Sequence, residues 1–149
     1  SNIQFVECEF IDCNFSNTIV KDTAFKDVTF YNSKLIGVKF FEVDTFLLKM
    51  KFLGCHLSFS SFRELKISST HFKNCQLEEV EFASADLTGS IFDGCNLKNA
   101  IFEETNLEKV DFRTADSFRI DPDQNRLKGA KFTKDNCSRL LDKYKIIIE

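Results

Sequence analysis

Large apolar residues fall at every fifth position of this chain, a spacing that suits neither an ordinary helix nor a flat strand. From Phe5 the series runs Phe10, Phe15, Val20, Phe25, Phe30, Leu35 and Phe40. It then slips by two residues, resumes at Leu47, and continues through Phe52, Leu57, Phe62, Ile67, Phe72, Leu77, Phe82, Leu87, Phe92, Leu97, Phe102, Leu107 and Phe112. A helix repeats after about 3.6 residues and a strand after about two, so this period calls for a repeat architecture. Two residues ahead of each large side chain stands a smaller one, as in Cys55, Ser60, Thr70, Cys75, Val80, Ala85, Ser90, Cys95, Ala100, Thr105 and Val110. Both sets point inward, and the intervening Asp, Glu, Asn, Lys, Ser and Thr are left to solvent.

One short extended piece and one corner per pentapeptide would meet these demands. The phrases FLGCHL, FKNCQL and FDGCNL begin at Phe52, Phe72 and Phe92, twenty residues apart. Four pentapeptides therefore close one square coil, and residues twenty apart stack. Gly54, Asn74 and Gly94, just before the cysteines, are residue types that tolerate positive φ at a corner. At about 4.8 Å per coil, the chain up to Phe112 makes roughly five to six turns and a rod of roughly 25 Å.

Ala85-Asp86-Leu87-Thr88-Gly89, Cys95-Asn96-Leu97-Lys98-Asn99 and Thr105-Asn106-Leu107-Glu108-Lys109 share one order: a small residue, Asp or Asn, Leu, then two free positions. This resembles the pentapeptide-repeat family over roughly residues 3–117. The resemblance implies an all-β, right-handed quadrilateral β-helix. One domain spans 1–149 in this reading. The β-helix occupies 3–117 with its register slip at 41–46, a cap loop and last partial coil follow over 118–132, and a capping helix and tail fill 133–149.

The expected C-terminal cap is a short α-helix over 134–144, with Thr133 as N-cap and Cys137, Leu140, Leu141 and Tyr144 at i, i+3, i+4 and i+7 on one apolar stripe. With Ile146 and Ile148, the residues Leu140, Leu141 and Tyr144 are the candidates for sealing the coil or for a homodimer contact through this end. No similar cap precedes Ile3, so the first coil is expected to be covered by a trimmed segment or by another chain. Ser1-Asn2, with no methionine, reads as a scar of tag removal.

The 149 residues include one proline, and the net charge is −3, consistent with one soluble domain. No stretch is apolar enough to span a membrane and no secretory start is present, so the chain reads as cytoplasmic. Five of the six cysteines, Cys8, Cys13, Cys55, Cys75 and Cys95, occupy the small inward position and read as core filler. Burial is the expectation for Cys137 as well. His56 and His71 are the only imidazoles and fall on different sides of different coils. The glycines stand alone, without a phosphate loop. Catalytic, cofactor and metal sites are therefore expected to be absent, and the chain reads as a non-enzymatic interaction or scaffold protein.

Charge is unevenly spread. Residues 78–116 carry ten acids against Lys98, Lys109 and Arg113, whereas the segments before and after have a small excess of base. Glu78, Glu79, Glu81, Glu103 and Glu104 fall on or beside adjoining sides as an acidic edge. That sign disfavours nucleic acid and attracts a partner with a basic groove. Within the family, the chain is similar to the quinolone-resistance (Qnr-like) branch, whose members imitate DNA and bind gyrase or topoisomerase IV. The resemblance implies a type II topoisomerase as one protein partner, although this slip is too small for that branch's projecting loops. A second expected contact is an apolar patch of Phe41, Phe46 and Phe59, all at nominally outward positions near the slip.

Overall fold

A five-residue unit with two inward side chains stays extended for about three residues before it must turn. The computed structural model, which describes residues 2–149, is built from such units. Its strands are β1 (Gln4–Val6), β2 (Glu9–Ile11), β3 (Ala24–Lys26), β4 (Val28–Tyr31), β5 (Met50–Leu53), β6 (His71–Lys73) and β7 (Ile91–Asp93). All pairing is parallel, β1 with β3 and then β2, β4, β5, β6 and β7 in order. Elsewhere single bridges such as Gln76–Asn96, Glu81–Ile101 and Asp86–Asn106 hold the offset of twenty. The result is the right-handed quadrilateral β-helix implied by the resemblance.

Each side contributes one column to the core. On the first side Phe10, Phe30, Phe52, Phe72, Phe92, Phe112 and Phe132 stack with ring centroids 5.0–5.4 Å apart. On the third side Phe40, Phe62, Phe82 and Phe102 stack at 4.6–5.4 Å. The two columns meet edge to face, as in Phe62–Phe72 at 5.9 Å and 88°. Leu57, Leu77 and Leu97 fill the second side, Ile67, Leu87 and Leu107 the fourth, and all six are buried. From Phe52 to Phe112 aromatic and aliphatic residues thus alternate around each coil, and each stacked or edge-to-face pair adds about 0.5–1.5 kcal/mol beyond area burial.

Most corners are four-residue turns with the third residue left-handed. Val80 N donates to Leu77 O (3.3 Å) across Glu79 at φ 61°, and Ala100 N to Leu97 O (3.0 Å) across Asn99 at φ 58°. Between the first and second sides, glycine and asparagine alternate for a steric reason. A Cβ at Gly54 would lie 2.3 Å from Asn32 Oδ1, and one at Gly94 would lie 2.4 Å from Asn74 Oδ1.

The small inward residues do more than fill space. Cys75 Sγ donates to Phe52 O (3.4 Å), Cys95 Sγ to Phe72 O (3.2 Å) and Thr105 Oγ1 to Phe82 O (2.9 Å). Each supplies a donor to the carbonyl of a core phenylalanine one coil earlier, which would otherwise be an underused buried acceptor. All six cysteines are free thiols. The neighbouring Cys75 thiol and burial push Cys55 far up. Cys75 is pulled down by its bond with Cys55 but raised by Cys95 and burial, ending at about 12. These thiols therefore stay protonated. Cys137 departs from expectation and is exposed.

The slip holds a second correction. Register is twenty at Ala24–Asp44 and twenty-two at Val28–Met50, so the two surplus residues are absorbed between Asp44 and Met50. Leu47 does not enter the core there. It takes φ 54° in a turn closed by Leu48 N to Thr45 O (3.3 Å), and it is 65% exposed. Val43 and Met50 are the buried residues on either side of the slip.

Beyond Phe112 the core continues through Phe118 and Ile120, both buried. Asn125 Nδ2 then donates to Phe102 O (2.9 Å) and Asn136 Nδ2 to Phe112 O (3.1 Å), taking over the role of the inward thiols. The cap helix runs Cys137–Tyr144 and is wound as a 3₁₀ helix. Thr133 and Asn136 exchange reciprocal bonds ahead of it, through Thr133 Oγ1 and Asn136 Oδ1. Three residues per turn split the expected stripe, because Leu140 lies in register with Cys137, and Leu141 with Tyr144. Leu140 packs on the core, whereas Leu141 and Tyr144 face outward. Lys143 ties this helix to the turn before Leu127, 2.9 Å from Asp121 and in contact with Asp123, and those two carboxylates raise its pKa.

At the other end, Phe5, Phe10 and Phe15 are only partly buried, and Ile3 and Ile19 are exposed.

Candidate functional site

A glutamate one or two positions after a core residue must project from a corner, and one just before it must project from a side. Glu78 and Glu79 follow Leu77, at the corner between the second and third sides. Glu81 precedes Phe82 on the third side, and Glu103 and Glu104 follow Phe102 at the corner between the third and fourth. The five expected acidic residues therefore frame a single side over two successive coils.

Three of these carboxylates are tied down. Asn96 Nδ2 donates to Glu78 Oε1 (2.9 Å), Asn99 Nδ2 to Glu79 Oε1 (3.4 Å) and Ser61 Oγ to Glu81 Oε1 (2.8 Å). Each bond spans neighbouring coils, so the negative charge is held on the frame instead of swinging on free side chains. Glu103 and Glu104 are exposed and face Asp123 and Gln124 of the next turn across a shallow cleft. Asp123 also stands at that corner, where Lys143 pairs with its carboxylate, an arrangement hidden in the sequence by the lapse of the motif there. Lys98 lies on the corner carrying Glu78 and Glu79, a coil further on, and its carbonyl accepts from Glu79 N (3.0 Å).

The expected apolar patch is not brought together. Phe59 (φ 63°) stands at the corner between the second and third sides, Phe41 at the next corner, and Phe46 at the one after. Phe41 lies under the Arg63 guanidinium, 3.8 Å from its ring centroid, and Phe46 has Lys26 at 5.4 Å. Phe46 lies within the slip itself, between Asp44 and Met50, which periodic counting could not foresee. At the C-terminal end Leu141, Tyr144, Ile146 and Ile148 are exposed together, and Leu140 belongs to the core.

His56 and His71 occupy the second and first sides. His56 Nε2 is 3.0 Å from Ser58 Oγ, and burial together with the Lys51 ammonium holds His71 below the ordinary imidazole range. Among the described residues no group of three or more His, Cys, Asp or Glu is gathered for a metal ion. No helix among them is long and apolar enough to cross a membrane.

Comparison with known proteins agrees with this geometry. A trypsin-treated variant of QnrB1, described as a plasmid-mediated fluoroquinolone resistance protein, superposes with TM-score 0.65 at 18% identity, covering 98% of this chain and 82% of that one. A second trypsin-treated variant gives 0.50 at 17% identity, covering 100% and 84%. A pentapeptide-repeat protein, Rfr23 from the cyanobacterium Cyanothece 51142, gives 0.39 at 14% identity, covering 90% and 86%. Likeness at such identities speaks to the fold alone. No curated protein matches the chain in sequence. The family models for a pentapeptide repeat region and for pentapeptide repeats match residues 65–139 and 8–44. With the first match covering half of its length, the chain belongs to the pentapeptide-repeat family.

Proposed function

We propose that this chain is a non-enzymatic interaction scaffold of the cytoplasm whose contact surface is the acidic third side. The observation that carries the reading is the anchoring of Glu78, Glu79 and Glu81 across neighbouring coils, with Glu103 and Glu104 on the opposite corner. Preorganised charge loses little freedom on binding and steers a basic partner toward one face. The partner class is a protein with a basic groove, because a negative surface repels nucleic acid. The exposed Leu141, Tyr144, Ile146 and Ile148 are a homodimer contact in the same proposal.

A sharper second reading rests on the same frame. The rod presents carboxylates at fixed intervals set by the coil, as duplex DNA presents phosphates, so the third side imitates DNA toward a type II topoisomerase. The fold likeness to QnrB1 supports it.

A gyrase supercoiling assay, with and without a quinolone, tests it against the Glu78→Gln/Glu79→Gln/Glu103→Gln/Glu104→Gln variant. Inhibition or drug protection that vanishes in the variant is the expected result. No effect of the parent chain at tens of micromolar sinks the topoisomerase reading, and capture of a basic partner equally well by the variant sinks the acidic side as contact surface.

A further inference from the structure

The slip parts two coils. On the fourth side bridges run Gln4–Ala24–Asp44 and start afresh at Lys66–Asp86–Asn106–Arg126, with none between Asp44 and Lys66 among the described residues. On the first side β4 and β5 pair from Val28–Met50 onward, but β5 and β6 only at Phe52–Phe72 and Leu53–Lys73.

The break leaves a donor free. Ala24 N donates to Ile3 O, Asp44 N to Thr23 O, Asp86 N to Leu65 O and Asn106 N to Ala85 O, each at 2.9 Å. Lys66 is the equivalent residue, and its N–H has no backbone partner among the described residues. Between the parted coils lies a groove of about 570 Å³. Lys49, Lys51, Lys66 and His71 line it, together with Ser68 and Ser69. Asp27 is its only carboxylate, 4.0 Å from Lys49. Lys51 and Lys66 make no ion pair among the described residues. In a chain of net negative charge, this concentration of ammonium groups beside a free N–H, with Asp27 as its one carboxylate among the described residues, is a set of donors that outnumbers its acceptors.

We propose that this groove binds a small phosphorylated ligand. Its volume is that of ordinary small-molecule sites. Lysine ammoniums meet phosphoryl oxygens as point charges, and backbone N–H and hydroxyl groups fix their orientation. The site does not depend on the acidic side or its partner.

The test is titration of the full chain with inorganic pyrophosphate at low ionic strength, followed by NMR at the amides of Lys66, Ser68 and Ser69 and at the His71 imidazole. Sodium chloride of matched ionic strength and succinate are the controls. Saturable shifts confined to the groove are expected, with at least tenfold weaker binding in Lys51→Gln/Lys66→Gln and unchanged binding in Lys128→Gln/Lys131→Gln. His71, which faces Lys51, Lys73 and Asp93, should titrate at higher pH with pyrophosphate bound. All four lysines are exposed, so both variants should melt as the parent does. Shifts spread over the whole surface, or equal binding by the Lys51/Lys66 variant, would overturn the site. Equal response to succinate would overturn its preference for phosphate.

Discussion

Leu97 and Leu47 occupy the same place in the five-residue count, yet one is fully buried and the other projects into solvent from a left-handed turn. Around Leu97 every coil has the same length, so Leu97 sits in register over Leu77 and Leu57, its equivalents twenty and forty residues earlier. Around Leu47 the coil is two residues longer than its neighbours, and the surplus is expelled at a corner while the phenylalanine columns pass without a break. Phe30 still stacks on Phe52 at 5.3 Å and 6°. The core columns therefore dictate register, and corners give way.

The largest test of that contrast is one substitution at both places. Leu97→Lys puts an ammonium between apolar layers and should cost at least about 3–5 kcal/mol, enough to abolish cooperative thermal melting. Leu47→Lys should leave stability within about 0.5 kcal/mol. Equal sensitivity at the two sites would mean that the slip lies elsewhere.

A smaller effect is expected at corners of the regular region. Gly94→Ala meets both a φ of 63° and the Asn74 amide, and should lose about 1–3 kcal/mol in denaturant unfolding. At the irregular corner the sign reverses. Leu47→Gly relieves a left-handed leucine and should gain up to about 1 kcal/mol, read as a higher denaturant midpoint at unchanged slope.

The smallest effect concerns pH. A side-chain hydrogen bond from Arg113 holds Asp111 below the usual carboxylate range. A depressed folded-state pKa gives stability that is present above the unfolded value, near pH 4, and is lost as pH falls through the folded one. Arg113→Gln should therefore lower stability at neutral pH and flatten its decline below about pH 4. An unchanged acid limb would mean that the pair contributes nothing.

The columns were legible because inward positions recur without error from Phe52 to Phe112, and a solenoid core admits no other arrangement of such a series. The acidic side was legible for the same reason, since residue number modulo twenty gives the side. Counting fails where the modulus changes. Leu47 and Phe46 were misplaced because counting back in fives from Phe52 assumes a corner of ordinary length. Phe118 and Ile120 were invisible because they fill the last coil two residues apart instead of five. The helix period was misjudged because 3.6 and 3.0 residues per turn predict the same i, i+3 contact and part only at i+4. The basic groove requires two coils to separate, which no single stretch of sequence records.

A coil that closes after twenty residues also acts as a ruler. Because every coil touches only the ones above and below it, duplicating residues 72–91 would add about 4.8 Å to the rod and return each side to its own direction. Such an insertion would move Glu103 and Glu104 away from the groove in one fixed increment, keep the angle between them, and repeat Glu78, Glu79 and Glu81 one coil up on the same side. The distance between two binding surfaces on this rod can thus be altered in discrete steps, independently of their chemistry.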